Sequence, residues 1–447
     1  MSSTTPAATA PEPAATPLAA RPRAAVLALA AATFSVVTAE MLPVGLLTSL
    51  GTDLGVSAGT AGLALTLPGL VAALAAPLLP VAVRGADRRT VLCVLLLLLA
   101  AADLLCALAW NFTVLLIARA LVGVCIGGVW AVAAGLAVRI VPSAAVGRAT
   151  AVIFSGIAVA SVLGVPAGTF LGALAGWRWA FAALAVLALA VAALLARALP
   201  PLPAERPIRF ATVAALLRAP AIRRGMLAVA LLITGHFAAY TYIRPVLERI
   251  PGTGAGEISV LLLGYGLAGV AGNFAVGTRA ARAPSRALLL LAAVIGTAVV
   301  LLVPADGTAA GSAALLIVWG LAYGGVSVSA QHWLTAAAPH AREAASGLFA
   351  GVFNTAIALG AFGGGRVVDG PDPSGVLLLG GAAALLALPA VAWAGRAARD
   401  RRGVVAGGTE APGETRAAGG TEAAGDDTEK GGGGGGAGGG APHGAGA

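Results

Sequence analysis

The chain has 447 residues, of which 59% are hydrophobic and 11% charged, with a mean hydropathy of +0.92. Globular proteins carry about 25% charged residues, so this composition cannot clothe a soluble surface. The net charge of +9 does not read as a nucleic-acid footprint, because the basic residues are scattered singly and aromatic residues make up only 5%.

Residues 1–24, rich in Ala, Pro and Thr, are expected to form a disordered cytoplasmic arm with no signal peptide. A hydrocarbon core about 30 Å thick takes roughly 20 apolar residues per helix. That window predicts six spans within 25–199, near 25–48, 60–83, 90–110, 113–138, 149–174 and 177–197. A polar linker over 200–222 follows, and a second set occupies 223–397, near 225–247, 258–279, 286–304, 312–335, 345–366 and 375–395. Residues 398–447 end in the glycine run Gly431–Gly440, a composition that builds no core, and are expected to be a disordered cytoplasmic tail. Arginines cluster in alternate loops (Arg84, Arg88 and Arg89; Arg206, Arg209 and Arg218; Arg396, Arg399, Arg401 and Arg402), which orients both termini to the cytoplasm. Lys430 is the only lysine, and this bias, with the Ala and Gly load, fits the cell membrane of a GC-rich bacterium. The expected fold is an all-α integral membrane protein, with about twelve transmembrane helices in two pseudo-symmetric six-helix bundles.

Few polar side chains interrupt these spans. Glu40 lies mid-helix in the first, where a charge costs at least a few kcal/mol. It suits a group that alternately takes up and releases a proton, or one that only fixes packing. Arg119, at similar depth in the fourth span, stays charged and must find an acid, carbonyls or water. It could draw the proton from Glu40, bind an acidic substrate, or form a static ion pair. Asp103 in the third span lies level with them and could join the coupling, or pair locally with Arg119 or Arg178. His236 and Tyr240 share one face of the seventh span near the midplane, where a substrate cavity is expected. A histidine satisfied by a neighbouring carbonyl is the alternative. Gln331 and Asn354 are further cavity candidates, each balanced against a packing role. Gly164, Pro166 and Gly168 should let the fifth helix bend and approach its neighbour closely.

Other chemistries find no support. The cysteines Cys93, Cys106 and Cys125 sit in apolar runs without a CxxC or Cys/His cluster, so neither a disulfide scaffold nor a metal site is expected. Gly264–Gly269 satisfies GxGxxG but lies in an apolar helical span without a preceding strand, and the glycine tail is no Walker A loop. With no nucleotide site and no nucleophile–base pair, an enzyme is not expected, and energy should come from an ion gradient or from the substrate's own gradient, without a cofactor.

Certain motifs carry a resemblance. Thr38-Ala39-Glu40-Met41-Leu42-Pro43-Val44-Gly45-Leu46-Leu47 resembles the first helix of drug:proton antiporters of the major facilitator superfamily, the branch of arabinose-efflux, purine-nucleoside-efflux and chloramphenicol-resistance permeases. Arg119-Ala120-Leu121-Val122-Gly123 is similar to the superfamily's arginine motif, and Gly164-Val165-Pro166-Ala167-Gly168 to its antiporter motif. Gly235–Ile243 and Phe353-Asn354 with Gly364-Gly365 resemble the seventh and eleventh helices of the same branch. The loop Arg84-Gly85-Ala86-Asp87-Arg88-Arg89 departs from the family's frame, which argues against a charge-relay lock there. The resemblance implies a proton-coupled exporter (an antiporter) of a small organic compound such as a drug, sugar or nucleoside-like metabolite, working by alternating access. Glu40 and Arg119 fall within these motifs and are expected to carry the coupling; Asp103 lies outside them and is a further coupling candidate, with the substrate cavity expected at His236, Tyr240, Gln331 and Asn354. A proton-coupled importer is the alternative, and a membrane-embedded sensor or enzyme a further one. The expected partners are substrate, protons and the lipid bilayer, with no nucleic acid and with a functional monomer.

Overall fold

The computed structural model describes residues 20–83, 85–203, 215–216, 218–250, 253–305, 309–338 and 342–407. Most of the expected arm and tail, and 204–214 and 217 of the expected linker, lie outside them. Among the described residues, 12 helices are long and apolar enough to cross a membrane.

The first six are α1 (Ala20–Leu54), α2 (Leu63–Ala82, after a single turn at Ala58–Ala61), α3 (Arg88–Ala107), α4 (Phe112–Ile140), α5 (Val146–Ala175, in three pieces) and α6 (Trp177–Ala198). The second six are α7 (Pro220–Tyr240, extended by Ile243–Leu247), α8 (Ala255–Arg282), α9 (Pro284–Ala305), α10 (Ala309–Ala337), α11 (Arg342–Val368) and α12 (Gly375–Gly407). Short polar residues set the starts: Asp87 accepts from Thr90 N at 3.1 Å to begin α3, and Asn111 from Val114 N at 2.9 Å to begin α4. Gly176, at φ +94°, takes the left-handed turn that separates α5 from α6. An even number of crossings puts the start of α1 and the Ala392 end of the last span at one end of the bundle, the near end; the opposite end is the far end.

The two sets are repeats. One constant interval carries the start of α3, Arg88, onto the start of α9, Pro284. The same interval carries the close contact of Gly164 with Thr38 onto that of Gly360 with Thr234, and Gly168 with Leu42 onto Gly364 with Ala238. In each half, therefore, the first and fifth helices lie together through glycines at the same register, where any Cβ would meet the partner helix. The interval also carries Glu40 onto His236.

Each half has its own apolar core, and the second half's core takes in Val44, Leu47, Ala61, Leu65 and Val165 from the first. Leu74, Leu97, Val186, Phe274 and Leu290 stand exposed on the outside, as expected of side chains that face lipid. Packing also joins α2 to α11 and the stretch Ala160–Ala175 of α5 to α8.

Candidate functional site: a buried acid, an arginine seat and an aromatic cluster

Proline chemistry explains where Arg119 sits. A helical carbonyl normally accepts from the N–H four residues on, and proline has none. Pro43 therefore frees the carbonyl of Ala39 in α1, and Pro68 frees that of Ala64 in α2. Arg119, fully buried in α4, supplies both missing donors: Nη1 to Ala39 O at 2.7 Å and Nε to Ala64 O at 2.7 Å. Its Nη2 adds a bond to Glu40 O at 3.0 Å. Of the partners open to it in the sequence, the arginine has taken carbonyls.

The acids are left over. Glu40 is 5% exposed and its Oε1 has no hydrogen-bond partner; Asp103 is fully buried and neither Oδ has one. Arg178, the other partner considered for Asp103, is engaged at the far end. It pairs with Asp53, lies 4.3 Å over the Trp177 ring and donates to Ala109 O at 3.0 Å. The α1 face next to Glu40 meets the second half through Met41, Val44 and Leu47, and Glu40 lies within electrostatic range of the Tyr323 hydroxyl of α10.

On the other side of that interface, His236 and Tyr240 come together with Tyr265 of α8 and Trp319 and Tyr323 of α10. His236 stacks on Tyr323 with ring centres 3.5 Å apart and an interplanar angle of 4°, and on Tyr240 at 5.2 Å. Tyr240 in turn stacks on Tyr265 at 4.8 Å. Trp319 Nε1 donates to His236 Nδ1 at 3.0 Å. Indole N–H can only donate, so Nδ1 is the acceptor and the neutral ring carries its proton on Nε2. That Nε2 and the Tyr265 hydroxyl are buried without a partner. Sequence reasoning missed Tyr265, Trp319 and Tyr323. The available signal was scarcity: the chain has 4 tyrosines, all in the second half.

The remaining candidates fall elsewhere. Asn354 Nδ2 donates to Ala350 O of its own helix at 2.9 Å, and Gln331 is exposed towards the near end of α10. In α5, one π-helical turn at Ala160–Gly164 runs directly into Pro166, whose missing N–H forces a change of hydrogen-bond register. Gly264–Gly269 is helical, and its last glycine abuts Gly324 of α10. The Asp87–Arg89 loop grips its own half: Asp87 accepts from Leu202 N, Arg88 N donates to Leu202 O at 2.8 Å, and Arg89 donates to Ala196 O.

At the far end the two halves are bonded together. Asp369, just past α11, accepts from Ser57 Oγ at 2.6 Å and Gly59 N at 2.8 Å. Thr48 Oγ1 donates to Glu248 Oε2 at 2.7 Å, and Arg244, which pairs with Glu248 Oε1 at 2.8 Å, also donates to Gly45 O. Asp53–Arg178 ties the first helix to the sixth, and Arg249–Asp372 ties the segment just past Leu247 to the one just before α12, with the charges exchanged between repeats. The Ser374 backbone N–H and then Arg249 hold the exposed Asp372 carboxyl below the usual carboxylate range.

Two repeated six-helix bundles around a buried acid, a buried arginine and an aromatic cluster define a membrane transporter. The chain belongs to the Major Facilitator Superfamily, whose family model matches residues 29–365. It is 34% identical over 371 residues to the "Purine ribonucleoside efflux pump NepI" of Salmonella paratyphi A, covering 82% of this chain and 92% of that one, and matches its Salmonella typhimurium counterpart to the same extent. Among solved structures it resembles a bacterial homologue of the human lysosomal transporter Spinster, inward-facing and unoccupied, at a TM-score of 0.64 and 15% identity over 84% of this chain and 95% of that one. The human organic anion transporter MFSD10 (TETRAN) aligns at 0.62 and 18% identity, covering 84% of this chain and all of that one.

Proposed function

We propose that the protein is a proton-coupled antiporter that exports a nucleoside-like compound across a bacterial cell membrane, with both termini in the cytoplasm and the monomer as the working unit. The observation that carries coupling is the unpartnered, buried Glu40 carboxyl, placed mid-membrane where the halves meet. A carboxyl buried at such a site can hold a proton, and an opening on one side gives it a route to lose it. Arginines clustered in the near-end loops argue for a cytoplasmic near end. On this reading the bonded far end faces outside, and substrate loads from the cell side. The relatives' names support a purine ribonucleoside as cargo. The second-half cluster supports it chemically: aromatic faces stack on a planar base, and His236 Nε2–H and the Tyr265 hydroxyl are free for its polar edge. Energy comes from the proton gradient and no cofactor takes part.

Purified protein in liposomes, given an imposed pH gradient and a radiolabelled purine ribonucleoside, tests this reading. Uphill movement of substrate against the proton flow supports antiport. Substrate moving with the protons would make the protein an importer, and movement indifferent to the gradient would remove proton coupling.

A further inference from the structure

Arg119 sits on the two carbonyls that proline leaves without a donor, and two carboxyls beside it go unpaired. The two prolines lie on different helices. Pro43 is four residues past Ala39, and Pro68 four past Ala64. A guanidinium has five N–H donors in a rigid plane, and three of its bonds here go to main-chain oxygen. With alanine at 43 and 68, the helices could close those carbonyls themselves, and a buried arginine would turn to the nearest acids instead.

We propose that Pro43 and Pro68 are positioning residues for Arg119: by removing two helix donors they create a carbonyl seat that holds the guanidinium off Glu40 and Asp103 in the far-end-closed conformation. In the seat it staples α1, α2 and α4 together and leaves both acids without a cationic partner. This rests on the proton-coupled reading above and adds what holds the guanidinium off the acids.

Other titratable groups around Glu40 are few. α3 brings Asp103 and Cys106, α4 brings Arg119 and Cys125, and α10 brings Tyr323, with His236 and Tyr240 of α7 beyond it. α2 has no titratable side chain, α5 has only Arg148 towards the near end, and Arg178 of α6 and Arg244 beyond α7 are bound at the far end. Among the described residues, Arg119 is the only cation in the groups level with the two acids.

Two measurements test the inference without needing a known substrate. The first is thermal unfolding in detergent of Arg119→Gln, made in the natural chain and in a Pro43→Ala/Pro68→Ala chain. Alanine favours the helix over proline, so the double variant should fold. In the natural chain Arg119→Gln leaves two buried carbonyls short of donors and should lower the unfolding temperature by about 3 °C more than in the alanine background. Equal losses in both backgrounds would overturn the seat. The second is infrared titration of the protonated carboxyl C=O stretch, assigned with Glu40→Gln and Asp103→Asn. In Pro43→Ala/Pro68→Ala the band should disappear about one pH unit lower than in the natural chain, because the released guanidinium favours the carboxylates. An unmoved band would overturn the positioning role. If the band moves but the natural chain shows no gradient-driven transport, the proton-coupled reading fails and the seat stands.

Discussion

At the residue scale, protonation and tautomer decide what each buried group can do. Glu40→Gln keeps shape and hydrogen-bonding capacity but cannot lose a proton. Transport driven by a pH gradient should stop in liposomes, whereas downhill exchange of substrate should persist, since exchange needs no change of protonation. Gradient-driven transport at the natural rate would move the proton site to Asp103. Trp319→Phe keeps the ring but removes the donor that fixes His236 with its proton on Nε2. The imidazole is then free to present either nitrogen, and substrate affinity should fall about fivefold to tenfold, the worth of one ordinary hydrogen bond. Equilibrium binding by tryptophan-independent calorimetry checks this, and unchanged affinity would confine the cluster to packing. The sequence makes Glu40 and Arg119 conspicuous because charges in apolar spans are rare. It also carries the rule that Pro43 and Pro68 orphan Ala39 and Ala64. Which donor answers is not in the local sequence, because the carbonyls and the arginine lie on three different helices.

At the element scale, α1 and α5 pack closely together in the first half. They run parallel, and glycines of α5 receive Thr38, Leu42 and Leu46 of α1 in one constant register. A Cβ at Gly164 would come within 2.8 Å of Thr38 Oγ1, so Gly164→Leu must push α1 and Glu40 away from α5. Overpacking of this kind costs about 1–3 kcal/mol, and the variant should show both a lower unfolding temperature and a loss of transport. Pro166→Ala separates those two effects. It removes the cause of the π-helical turn at Ala160–Gly164, so the protein should unfold at a higher temperature while transport slows. Unchanged transport would show that the distortion is incidental. The glycine–proline pattern announces that α5 bends. The position of the π turn, one step before the proline, follows from hydrogen-bond closure in the folded helix.

At the scale of the whole molecule, the far-end contacts bond the two halves together, and on the proposed alternating-access reading they form a gate that the cycle opens. Cysteines placed at Ser57 and Asp369, whose side chains are bonded across the halves, should cross-link under oxidation and arrest transport, with recovery on reduction. The natural cysteines are buried or half-buried within the first half and should not compete. Full transport by the cross-linked protein would mean that the gate need not open. Topology provides a separate check. Reporters fused after Arg89 and after Arg401 should lie on one side of the membrane, and a reporter near Asp53 on the other, because an odd number of helices separates them.

The sequence by itself determined the class of this protein. Runs of about 20 apolar residues are long enough to cross a membrane as helices, two sets of six parted by a polar stretch point to two bundles, and isolated charges in apolar spans mark the residues worth testing. These are properties of composition and spacing, legible in one dimension. Partner choice was left to the tertiary structure. It set Arg119 on proline-freed carbonyls, put Tyr265, Trp319 and Tyr323 around His236, turned Asn354 back onto its own helix, and joined Asp369 to Ser57. A hydrogen bond or a ring stack requires atoms within a few ångströms of each other, and in a helical bundle residues from distant spans meet only once the helices have packed and their rotations are fixed.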